Sequence, residues 1–165
     1  MPSRTHAKRR SVFLNFPFNK SYEPLFVALI AALVAIGRMP RCVLEVPEMG
    51  DGRLARIFGL IRSCPVSIHD LSAVGLPVRF NMPFELGMAV TLKKIDHDHE
   101  FIMLEAKRHR LQTTLSDMNG IDPGIHGATV NGIIACVLSH LGKPHGNPTH
   151  GQVKKIHREL WKTVQ

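Results

Sequence analysis

At 165 residues the chain has room for one domain of ordinary size, since domains cluster near about 100–150 residues and bury roughly two-thirds of their unfolded surface at this length. With 44% hydrophobic and 21% charged residues and a mean hydropathy near zero, disorder over most of the length is excluded; the longest apolar run, Leu25 to Ile36, also falls short of the about twenty residues a bilayer-spanning helix needs. The net charge of +8 lies at the two ends, in Arg4, Lys8, Arg9 and Arg10 and in Lys143, Lys154, Lys155, Arg158 and Lys162 against Glu159, so the stretch between is neutral. Residues 1–10 therefore read as a basic disordered tail, 11–142 as one α/β domain, and 143–165 as a linker and short C-terminal helix. Such tails give nucleic acid only nonspecific, salt-sensitive contact. Cys42, Cys64 and Cys136 are an odd number at wide spacing, which predicts free thiols in a reducing cytoplasm and neither a disulfide framework nor a CxxC site. No signal-peptide pattern is found, and nothing in the chain is expected to direct it across a membrane.

The elements follow in chain order. Ser11-Val-Phe-Leu-Asn15 is a short apolar run suited to a buried strand. Ser21 can N-cap a helix with Glu23 and Pro24 in its first turn, running to about Ile36 and closed by Gly37 and Pro40. That helix is apolar nearly all round and is expected between neighbours. Cys42–Val46 reads as the second strand. A helix follows with Leu54, Ile57, Phe58 and Ile61 at i, i+3, i+4, i+7 spacing and Arg53, Arg56 and Arg62 outward. Val66–His69 is a third strand ending at Asp70, a helix spans about Met82 to Lys93, Glu100–Glu105 is a fourth strand, and Ala128–Leu141 is a last long helix. Short apolar strands alternating with helices predict an α/β, flavodoxin-like three-layer fold with a central parallel sheet of four to five strands.

In such a sheet ligands bind beyond the carboxyl ends of the strands, and a polar set stands there. Asn15 ends strand one, Glu48 and Asp51 follow strand two, Asp70 and Ser72 end strand three, and Asn81 and Glu85 open the third helix. The segment Leu115–Gly127 follows strand four, is rich in Gly and turn formers, and carries Asp117, Asn119 and His126. Each has a structural alternative, as an N-cap or a turn closer. The sharpest segment is Arg79-Phe-Asn-Met-Pro-Phe-Glu-Leu-Gly87. Asn81 as N-cap and Pro83 in the first turn leave Glu85 one turn into the helix between Phe84 and Leu86, beside a glycine that permits close approach. The helix start favours its ionised form and apolar neighbours oppose it. A desolvated carboxylate is what oxocarbenium chemistry uses, as nucleophile or as a clamp on ribose hydroxyls. Asp96-His-Asp-His-Glu100 reads as a solvated turn, and His140, His145, His150 and His157 lack zinc-site spacing, so no metal is expected. Arg108 and Arg110 suit either phosphate contact or the surface. No GxGxxG, Walker, GxSxG or HExxH motif is present.

Asn15-Phe-Pro-Phe18, Ser67-Ile-His-Asp-Leu-Ser72 and Asn81-Met-Pro-Phe-Glu-Leu-Gly87 together resemble bacterial TIR-like proteins and the related nucleoside 2-deoxyribosyltransferase-like superfamily, over roughly residues 11 to 141. In that superfamily a Glu in an (F/W)-E-(L/I)-G helix start cleaves or exchanges an N-glycosidic bond. The resemblance implies that Glu85 is the catalytic carboxylate, that Asp70 binds sugar or base, and that Asn15 helps line the pocket; Phe16, Ser72 and Asn81 beside them, and Asp117, Asn119 and His126 of the loop after strand four, are the further candidate substrate contacts. It implies NAD as substrate, with no cofactor, and a nucleosidase, cyclase or ADP-ribosyl transfer reaction in antiphage defence, in a homo-oligomer or an assembly with a defence partner. Asn81 stands where deoxyribosyltransferases often carry Gly-Thr or Gly-Ser, a departure from base exchange. Deoxyribosyl transfer or N-ribohydrolysis, and a non-catalytic nucleotide-binding or assembly domain, are the alternatives. The Leu115–Gly127 loop is expected to fold over the strand ends as one wall of the pocket, or to be a self-capped surface loop.

Overall fold

A computed structural model describes residues 9–45, 52–73, 80–143 and 145–164. The strands β1 (Ser11–Asn15), β2 (Met39–Arg41), β3 (Val66–Asp70), β4 (Glu100–Glu105) and β5 (Gly124–Ile125) form one all-parallel sheet in the order β2-β1-β3-β4-β5. This is the strand order of flavodoxin-like folds. Helices α1 (Glu23–Ala35), α2 (Arg53–Ser63), α3 (Asn81–Ile95), α4 (Arg110–Thr114), α5 (Val130–Leu141) and α6 (His150–Val164) flank and connect it. Among the described residues no helix is long and apolar enough to cross a membrane. The chain divides into two compact units, one of Met1–Phe16 and Arg38–Ile102, the other of Pro17–Gly37 and Met103–Gln165.

In the first unit β1 and β3 are buried at all five positions each, as parallel strands covered on both faces are. Their register runs from Val12 against Val66 to Asn15 against His69, so the two strands end level. Phe13 packs with Ile57, Leu60 and Ile61 of α2, with Cys64, and with Ala89 and Leu92 of α3. Each large side chain of this cluster, Phe13, Ile57, Leu60, Ile61 and Leu92, contributes roughly 1.5–3 kcal/mol when fully buried. The inward stripe of α2 is thus Ile57, Leu60 and Ile61, whereas Leu54 and Phe58, expected inward, are exposed. The second strand is also corrected. It lies at Met39–Arg41, and Val43–Glu45 is a turn of 3-10 helix. β2 is the sheet edge, where Pro40 pairs on one side without its missing N–H, and the apolar run after it imitates a strand by composition alone.

In the second unit α1 packs against α5 and α6 and buries Leu25, Val27, Ala28, Leu29, Ala31, Ala32 and Leu33. Ser21 does not cap it. Ser21 Oγ donates to Asn19 Oδ1 at 2.7 Å, Tyr22 holds the N-cap position, and the Tyr22 N–H also donates to Asn19 Oδ1. Asn19 therefore closes the turn, ahead of the serine. The C-terminal stretch ends in a docked fifteen-residue helix: Val153 of α6 is fully buried, His157 Nε2 donates to the Pro24 carbonyl at 3.2 Å, and the His157 ring stacks on Trp161. The stretch from Arg110 to His126 holds α4, a 3-10 turn at Ser116–Met118 and β5, where the sequence reads as loop.

Candidate functional site

In a sheet of this order ligand sites form at the carboxyl ends of β1 and β3, where the strand order reverses. Asn15 ends β1 there, fully buried. Its Nδ2 donates to the Met82 carbonyl at 3.0 Å and to His69 Nδ1 at 3.1 Å. Met82 is the second residue of α3, so one side chain ties the end of β1 to the helix start that carries Glu85.

Glu85 is the fifth residue of α3 and only 7% exposed. Removal from water pushes its carboxyl up from 4.5 to about 7, against the opposing pull of the Arg53 guanidinium at the start of α2. For Glu85, burial therefore outweighs the neighbouring Arg53 charge. The residues around it differ from expectation in two ways. Phe80, not Asn81, holds the N-cap position, and Asn81 is an exposed first helical residue with no capping hydrogen bond. Helix entry is fixed in part by the Asn15 amide reaching Met82 from another strand, which no local pattern can signal. At Gly87 an added methyl would meet nothing within 4 Å among the described residues, so this glycine serves no close approach. Phe80 and Phe84, four apart, are 75% and 57% exposed and give the first turn an apolar outer rim.

Asp70 is buried at the end of β3, where its Oδ1 accepts the N–H of half-buried Ser72 at 2.9 Å. Strand alternation puts Asp70 on the sheet face opposite His69 and Asn15. Phe16 is buried directly after β1. Glu48, Asp51 and Arg79 lie outside the described residues.

The second unit holds the remaining candidates. Asp117 and Asn119 are exposed, in and after the Ser116–Met118 turn. His126 is buried: its Nδ1 accepts the Ala128 N–H at 3.1 Å, which leaves the proton on Nε2, 3.3 Å from the Tyr22 hydroxyl. The backbone here is unusual, with Gly127 and Ala128 both left-handed at φ 59° and 53°. Arg110, a candidate for phosphate, instead makes a two-point ion pair with Glu105, buried at the carboxyl end of β4. Glu105 also accepts the backbone N–H groups of Ala106 and Lys107. Sequence reasoning missed His69 and Glu105. The signal for His69 was its place two residues from Ser67 in a short strand, which puts two polar side chains on one buried face.

No known family model matches the chain, and no curated protein sequence matches it.

Proposed function

We propose that the protein cleaves the N-glycosidic bond of NAD or a related nucleotide, with Glu85 as the catalytic carboxylate. The observation that carries this reading is Glu85 itself: a buried carboxyl one turn into α3, whose first turn is tied by Asn15 to the β1–β3 switch point. In the reaction the C1′–N bond of the nicotinamide riboside breaks and its electron pair passes to the pyridinium ring, which leaves as neutral nicotinamide. No strong general acid is needed. The cationic ribosyl carbon is stabilised by, or bonds to, ionised Glu85, and water then adds at C1′ and loses a proton to give ADP-ribose. The exposed rings of Phe80 and Phe84 offer a flat base a stacking surface. A cation next to Glu85 favours its charged form, so substrate binding itself drives ionisation of a group poised near 7.

Incubation with NAD and chromatography for nicotinamide and ADP-ribose tests the reading. Release by the wild type and its loss in Glu85→Gln is the expected result. Base exchange between free nucleosides with NAD untouched would move the chemistry to deoxyribosyl or ribosyl transfer. Undiminished NAD cleavage by Glu85→Gln would remove Glu85 from the reaction.

A further inference from the structure

Four buried side chains of the first unit make a hydrogen-bonded chain whose direction is set from both ends. At one end the Cys64 carbonyl can only accept, so His99 Nδ1, 3.0 Å away, carries a proton. Nε2 of a neutral His99 then accepts, and the Ser67 hydroxyl donates to it at 3.1 Å. Ser67 Oγ in turn accepts from His69 Nε2 at 2.9 Å. At the other end the Met82 carbonyl can only accept, which fixes the Asn15 amide with Nδ2 toward both Met82 and His69. His69 Nδ1 must therefore accept, and its proton must sit on Nε2, the same tautomer reached from the Cys64 end.

We infer that Asn15, His69, Ser67 and His99 are positioning residues that hold the first turn of α3, and with it Glu85, and that they do so only while both rings are neutral. Burial holds His69 down at about 3 and lowers His99 as well. If His99 gains a proton, its Nε2 becomes a donor, and the Ser67 hydroxyl hydrogen is left without its acceptor in a fully buried site. His99 is the point of proton entry, because it lines a cavity of about 390 Å³ with Arg9, Arg62, Cys64, Pro65, Asp96 and Asp98. Asp96 and Glu100 favour its protonation, while Lys93 opposes it. Arg9, Arg62 and Asp98 are the other charged groups that line the cavity with His99. Acid thus reaches the helix start through the amino end of the sheet. The tautomer chain stands independently of the reaction; its effect on catalysis rests on the role proposed for Glu85.

The test is nitrogen NMR of the full chain with 15N-labelled histidine at pH 7, the two rings assigned by the loss of their signals in His69→Gln and His99→Gln. The expected result is two neutral rings in opposite tautomers, Nε2–H for His69 and Nδ1–H for His99. A charged ring or a shared tautomer overturns the chain. In Ser67→Ala, which cuts it in the middle, NAD cleavage should lose about ten- to a hundredfold in kcat with KM within about twofold, the pattern of a displaced catalytic group. Unchanged kcat overturns the positioning role. A wild type that leaves NAD intact overturns the reaction assigned to Glu85, while the tautomers still decide the chain.

Discussion

Glu85 carries opposite consequences for chemistry and for stability. Its carboxyl is raised above the unfolded value of 4.5, so between 4.5 and about 7 the folded state binds a proton that the unfolded chain has released. Stability from this group is therefore full below 4.5 and is lost as pH rises through 7. Glu85→Gln, which keeps the shape without the charge, should gain about 1–2 kcal/mol over the wild type at pH 8 and nothing at pH 4, read by urea melts at the two pH values. His69 has the reverse sign. Its folded value near 3 lies below the unfolded 6.5, so its contribution is present above 6.5 and is lost as pH falls toward 3. Acid melts of His69→Gln should accordingly be flatter between pH 6.5 and 4 than those of the wild type, whatever the height of the curve. A third residue acts by shape alone. A Cβ at Gly132 would lie 1.8 Å from the His126 carbonyl oxygen, and neither backbone can yield without breaking the Thr129 cap of α5. Gly132→Ala should cost about 1–3 kcal/mol or more in thermal or chemical melts.

At the scale of elements, legibility followed burial. β1 was legible from a continuous apolar run, and β3 and β4 from shorter apolar segments at Val66 and Ile68 and at Phe101 to Leu104; β1 and β3 are covered on both faces, as central parallel strands are. β2 was misplaced because an edge strand need not be apolar: Met39–Arg41 pairs with β1 through its backbone. β5 was missed because two residues, one a glycine, carry no period at all. The start of α3 was legible to within a residue from Pro83 and the apolar run, but not its cap, since Asn15 arrives from 67 positions away along the chain. For the same reason Glu85 was legible as buried from its apolar flanks, and the Asn15–His69–Ser67–His99 chain was not, since its links join residues up to 54 apart. Asp117 and Asn119 show the limit of composition: turn formers in a Gly-rich stretch mark where the chain turns, and both side chains are exposed.

At the scale of the molecule, the sheet order β2-β1-β3-β4-β5 turns a list of polar strand ends into a site, because it sets Asn15 and His69 side by side where the order reverses. The second unit depends on its last helix. α1 is apolar on every side, and α6 covers part of it through Val153 and the His157 bond to Pro24. A chain ending at Gly142 should aggregate or melt at markedly lower temperature than the full chain, seen in the soluble fraction and in thermal unfolding. On the proposed reading, a buried carboxyl titrating near neutrality breaks the nicotinamide–ribose bond. The direct measurement is kcat/KM for nicotinamide release from NAD across pH 5 to 9. The rate should rise with pH through a single ionisation near 7, the ionised form of Glu85 being the active one, and Glu85→Gln should abolish it. A profile that is flat through this range, or one that survives Glu85→Gln, would remove Glu85 from the reaction.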